Sequence, residues 1–200
     1  MNYHIPLKPN TFYHIFNRAV GDEKLFRNQE NYRYFLQRFK HYINPIADTY
    51  AYCLLPNHFH FLIKMKDDIE FNKYSKDESG QKIFSEYTMQ SFSNFLNSYT
   101  KSFNKAFNRK GGLFIDYLKR VEINSNEQLR ATLFYIHKNP VHHGLCKNIN
   151  DWHWSSYQAF FSSYETSLNK AEVLEWFGGI EEFINFHQQP ILLKDAIVLE

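Results

Sequence analysis

Residues 47–64, ADTYAYCLLPNHFHFLIK, constrain the fold more than any other stretch of the chain. Two runs rich in sheet-forming residues, 47–55 and 58–64, flank Pro56-Asn57, a pair suited to a tight turn. Strands joined this closely pair antiparallel. In the second run His58, His60 and Leu62 share one face, and Phe59, Phe61 and Ile63 share the other. The sheet is thus expected to carry imidazoles on one side and aromatic rings on the opposite one.

The remaining elements group around this pair. Residues 11–17 (TFYHIFN) alternate as a first strand. Asn28 is placed to cap a helix with the apolar stripe Tyr32, Phe35, Leu36, Phe39 and Ile43, closed by Pro45. Residues 66–85 are polar and without period, which predicts a long surface loop. A helix over 85–108 follows, with Phe92, Phe95, Leu96, Tyr99, Phe103 and Phe107 on its core side and Gly111-Gly112 beyond its end. Residues 113–123 (LFIDYLKRVEI) supply a further strand. Ser125 and Gln128 have capping-box spacing for a helix running to 139, where Pro140 stops it. A short helix is expected over 169–177. This order is α+β, and the expectation is a ferredoxin-like antiparallel sheet with helices packed on one face. Residues 1–160 form the main domain and 161–200 an extension.

Hydrophobic residues at 44% supply enough apolar matter for a core. A net charge of +2 neither announces nor opposes a nucleic-acid partner, because local arrangement matters more than the sum. Cys53 and Cys146 have no metal-binding spacing. The amino terminus lacks a signal-peptide pattern and no apolar run is long enough to span a bilayer, so the chain reads as soluble and cytoplasmic.

Two constellations carry chemistry. His58 and His60, on one strand face, are close enough to share Mg²⁺ or Mn²⁺ with an oxygen ligand and phosphate oxygens. Half-exposed structural histidines are the ordinary alternative, and zinc held with an acid such as Asp116 is a rival. Tyr135 and Asn139 are four residues apart, so they stack on one helical face. A phenol beside a divalent ion can attack a phosphodiester once its proton, of pKa about 10, is lost. A tyrosine that simply packs is the plainer reading. Lys101, Lys105, Arg109, Lys110 and His142 are candidate DNA contacts, with Lys40, Lys119 and Arg120 behind them. Trp152, Trp154 and Tyr157 either stack on bases or close the core.

The segments TFYHIFNRAVGDEKLFRNQENYRYFL, AYCLLPNHFHFLIK, FSNFLNSYTKSFNKAFNRKGGLF and FYIHKNPVHHGL, with DWHWSSY after them, occur in this order over most of the first 157 residues. On these motifs the chain resembles the IS200-like transposases, and among them the REP-associated tyrosine transposases, which are tyrosine endonucleases with a paired-histidine (HUH) motif. The resemblance implies a ferredoxin-like metal-dependent endonuclease that acts on single-stranded DNA next to a hairpin. It would form a 5′-phosphotyrosine link and release a 3′-hydroxyl. It also implies that His58 and His60 are the metal pair, Asn139 a third ligand and Tyr135 the nucleophile. Relatives include monomers and dimers, so a homodimer stays open. Relatives usually have GHLWQGRF where this chain has GGLFIDYLKRV, and an Arg where it has His142. That departure motivates a second reading, a domesticated hairpin-binding protein with weak or no cleavage.

Overall fold

A computed structural model of the chain describes residues 4–67 and 80–190, the side chains of 80–83 excepted. Four strands, Phe12–Arg18 (β1), Ala47–Leu55 (β2), His58–Met65 (β3) and Lys119–Ile123 (β4), form one antiparallel sheet in the order β2-β3-β1-β4. The α+β, ferredoxin-like arrangement is therefore as expected. The helices, however, cover both faces rather than one.

On the first face, Gln29–Ile43 (α1) and Gly80–Ala106 (α2) pack over Tyr13, Ile15, Phe59, Phe61 and Ile63. Asn28 caps α1 as expected: its side chain accepts from Asn31 N at 3.0 Å, and Asn31 Oδ1 accepts from Asn28 N at 3.3 Å. The opposite face is covered by Asn126–His142 (α3), Lys170–Phe177 (α4) and Ile180–Gln188 (α5). Leu129, Leu133 and Ile136 of α3 share a core with Ala51, Cys53, Leu55 and Leu62 of the sheet, and with Val173 and Phe183 of the last two helices. A single face of four strands cannot bury two apolar helix sets, and alternation gives each strand two faces to use.

Three boundaries differ from the sequence reading. Most of the loop expected over 66–85 lies outside the described residues, but the chain is helical from residue 80. Among the described side chains of α2 the core stripe includes Phe84, Thr88 and Phe92, one turn apart each time. The strand expected over 113–123 is confined to its second half. Before it, Phe114 bridges Ala19, and Asp116 Oδ1 then accepts from Tyr117 N at 2.7 Å, bending the chain and exposing Tyr117. Finally, Pro140 lies inside α3 instead of ending it. Its missing N–H removes one bond to the preceding turn. The helix nonetheless completes another turn, with His143 N donating to Asn139 O at 2.9 Å and Leu145 N to Pro140 O at 2.8 Å.

The segment after α3 closes the edge of the sheet. Leu54 N donates to Trp154 O and Trp152 Nε1 to Leu54 O. Trp154 is half-buried and stacks on Tyr32 at 4.4 Å, so these rings pack on the protein. Behind α3, buried His137 contacts His187 (Nδ1···Nε2, 2.9 Å) and Ser156 (Nε2···Oγ, 2.8 Å). No helix among the described residues is long and apolar enough to cross a membrane.

Candidate active site

Antiparallel pairing sets Phe16 opposite His60 and Arg18 opposite His58. Both imidazoles project from the face that α3 covers. Their rings lie 5.1 Å apart between centroids and are nearly perpendicular. From α3, the Tyr135 ring approaches His60 to 5.5 Å, edge-on, and Asn139 Oδ1 comes within 3.3 Å of His58 Nε2. Thus four residues singled out in the sequence meet within one chain. The i, i+4 spacing of Tyr135 and Asn139 is what carries both to the same strand.

The environment of the two imidazoles differs. His58 is half-buried, with Nδ1 at 2.7 Å from Asn57 Oδ1 and Nε2 at 3.3 Å from Asn139 Oδ1; a neutral imidazole can donate to only one of these two oxygens. His60 is only 3% exposed, and its Nδ1 is 2.9 Å from Nε2 of His14 on β1. Burial, reinforced by the neighbouring His14, His58 and His143, pushes the His60 pKa well below its ordinary range. Burial alone takes His14 down to about 3. Both rings are therefore neutral at physiological pH.

A divalent ion fits this donor set. Nε2 of His60 is buried without a hydrogen-bond partner among the described residues. Nε2 of His58 and Oδ1 of Asn139 lie 3.3 Å apart. Adjacent ligands of an octahedral Mg²⁺ stand about 3 Å apart, given its 2.0–2.1 Å bonds. Among the described residues no group of three or more His, Cys, Asp or Glu side chains is arranged to hold a metal. The set here is two imidazoles and an amide oxygen. Asp116, the acid of the zinc alternative, faces His4 at 3.6 Å. It lines a groove of about 740 Å³ beneath α2 rather than the imidazole cleft.

That cleft, about 320 Å³, is lined by Phe16, Asn17, Arg18, Asn57, His58, His60, Lys119 and His143. Tyr135 is 4% exposed and is not part of its wall. Of the five DNA-contact candidates, none lines it. Arg109 is committed to the protein: it donates to Glu23, Asn104 and the carbonyls of Gly111 and Gly112. Lys101, Lys105 and Lys110 are exposed, as is His142, whose ring lies 5.2 Å from that of His143 at the cleft. The cations beside the imidazoles are Arg18 and Lys119, brought there by β1 and β4.

Two known proteins are similar to the chain. A chain of Haemophilus influenzae named as a REP-associated tyrosine transposase is 28% identical over 112 residues, which is 55% of this chain and 58% of that protein. The solved structure of a REP-associated tyrosine transposase bound to a REP hairpin superposes with a TM-score of 0.55. It covers 82% of this chain and 88% of its own at 19% identity. The likeness is distant in sequence and clear in fold. No family model matches the chain.

Sequence reasoning missed His14 and Arg18, whereas His143, noted in the sequence beside the tyrosine helix, lines the cleft. For His14 the signal was present, because the alternation of TFYHIFN separates it from Tyr13 and Ile15. Only the strand register, which sets β1 beside β3, was lacking.

Proposed function

We propose that the chain is a metal-dependent endonuclease and strand-transfer enzyme acting on single-stranded DNA beside hairpins. The observation that carries this reading is the convergence of His58, His60, Asn139 and Tyr135 within one chain. The distant kinship with REP-associated tyrosine transposases supports it. His58, His60 and Asn139 would hold Mg²⁺ or Mn²⁺, which supplies polarisation of the scissile phosphate. Tyr135 Oη gives up its proton and bonds to phosphorus. The bond from phosphorus to the 3′ oxygen breaks, that oxygen leaves as a 3′-hydroxyl, and the 5′ side remains as a phosphotyrosine ester. Reversal, with a 3′-hydroxyl attacking the ester, joins strands. Arg18 and Lys119 neutralise phosphates along the cleft without reading bases.

The test is incubation with hairpin-flanked single strands and Mn²⁺, followed by denaturing electrophoresis for a covalent protein–DNA adduct. The wild type yields one and Tyr135→Phe yields none. An adduct that persists in Tyr135→Phe removes the nucleophile assignment. One observation favours the second reading, a hairpin-binding protein that no longer cleaves: Tyr135 is almost fully buried, away from the cleft wall. Tight hairpin binding with no adduct under any divalent ion would establish that reading instead.

A further inference from the structure

His14 has no part in the chemistry above, yet it is fully buried at its centre. Its ring lies 5.1 Å from that of His60 at an interplanar angle of 21°, and Phe16 stacks on both. The edge of Tyr135 closes the group, 6.0 Å from His14. The 2.9 Å contact between His14 Nε2 and His60 Nδ1 can hold one proton.

Two neutral imidazoles can place that proton in two ways. If His14 donates, neutral His60 must keep its own hydrogen on Nε2, where it faces no acceptor and cannot bind a cation. If His60 donates, its Nε2 is a bare lone pair. The buried, unpartnered Nε2 of His60 is consistent with a ligand atom and poorly suited to an N–H. A ligand histidine ordinarily donates its second N–H to an acceptor that fixes tautomer and ring orientation. Here the atom in that place belongs to another imidazole.

We infer that His14 is a positioning residue whose Nε2 accepts the Nδ1 proton of His60 and so holds the His60 Nε2 lone pair toward the metal. This rests on the metal reading of His58 and His60. The remaining cost is the buried Nδ1–H of His14, which has no partner among the described residues.

Two measurements test it. Long-range ¹H–¹⁵N correlation spectra of the metal-free wild type should show His60 protonated on Nδ1 and bare on Nε2. Finding the hydrogen on Nε2 overturns the inference without any variant having to fold. Mn²⁺ binding, followed by electron paramagnetic resonance, should weaken about 10- to 100-fold in His14→Phe. His14→Gln, whose Oε1 can stand near the lost Nε2, should recover most of the affinity. Normal binding by a folded His14→Phe overturns the inference while leaving the metal site intact. A wild type that binds no Mn²⁺, or a His58→Ala variant that binds it as well as the wild type, overturns the metal reading and the inference together.

Discussion

The two faces of the sheet are built from the same four strands and do opposite things with them. Toward α1 and α2 the space is filled by carbon rings. Phe35 meets Phe26, Phe59, Phe95 and Tyr99 at 4.8–5.1 Å, and Phe39 stacks on Phe61 at 3.9 Å. Toward α3 the strands present His14 and His60, and the helix answers with Thr132, Tyr135, His137 and Asn139, all buried. Unpartnered atoms of His14, His60, Thr132 and Asn139 collect on this side. A buried polar group without a partner costs about 1–3 kcal/mol. The aromatic side thus adds stability without that cost, while the histidine side gives up some of its own to buried polar groups, those of the proposed site.

Substitutions should separate the faces. The largest effect is expected from Tyr135→Phe, which should lower adduct formation by at least about a thousandfold, the scale on which a lost nucleophile acts. Its urea midpoint should move little, since only one hydroxyl is removed. Phe35→Ala should do the reverse, with a loss of about 3–5 kcal/mol in denaturant unfolding, because a fully buried ring leaves a cavity. If both variants lose equal stability, the division of labour between faces fails.

Acid sharpens the comparison further. Burial lowers the pKa of His187 from 6.5 to about 4, and His14, His60 and His137 shift in the same direction. The folded protein therefore binds fewer protons than the unfolded chain between those pH values. Stability is greatest above pH 6.5 and declines as pH falls toward 4, by on the order of 3 kcal/mol for His187 alone. Urea midpoints measured across this range should show the decline, and His187→Gln should flatten it. The smallest change is at the aromatic side's periphery: Asn28→Ala, which removes the α1 cap, should cost about 1 kcal/mol and leave adduct formation unchanged.

Much of this was legible from periodicity. The period of two placed His58 and His60 together, and the period of 3.6 placed Tyr135 above Asn139. The bounds of β2 and the Asn28 cap followed from local residue types. What local pattern could not supply was register and layering. Arg18 and Lys119 reach the cleft only because β1 sits between β3 and β4, a fact of strand order. Every-fourth spacing selected Lys101, Lys105 and Arg109, but spacing on one helix says nothing of which neighbour the helix meets. Glu23, far away in sequence, claims Arg109 at 2.9 Å. Pro140 misled for a related reason: its local penalty is real, yet the bonds of His143 and Leu145 around it sustain the last turn.

The contacts behind α3 bear on how its phenol can move. His137 lies two residues from Tyr135, bonded to His187 on one side and to Ser156 on the other. The helix that carries Tyr135 is thereby moored from the rear to the final helix and to the segment along β2. A chain that lent this helix to a neighbouring copy would have to surrender residues 155–188 with it, opening the core around Phe183. Truncation ahead of α5 should consequently slacken the hold on Tyr135 rather than merely shorten a tail.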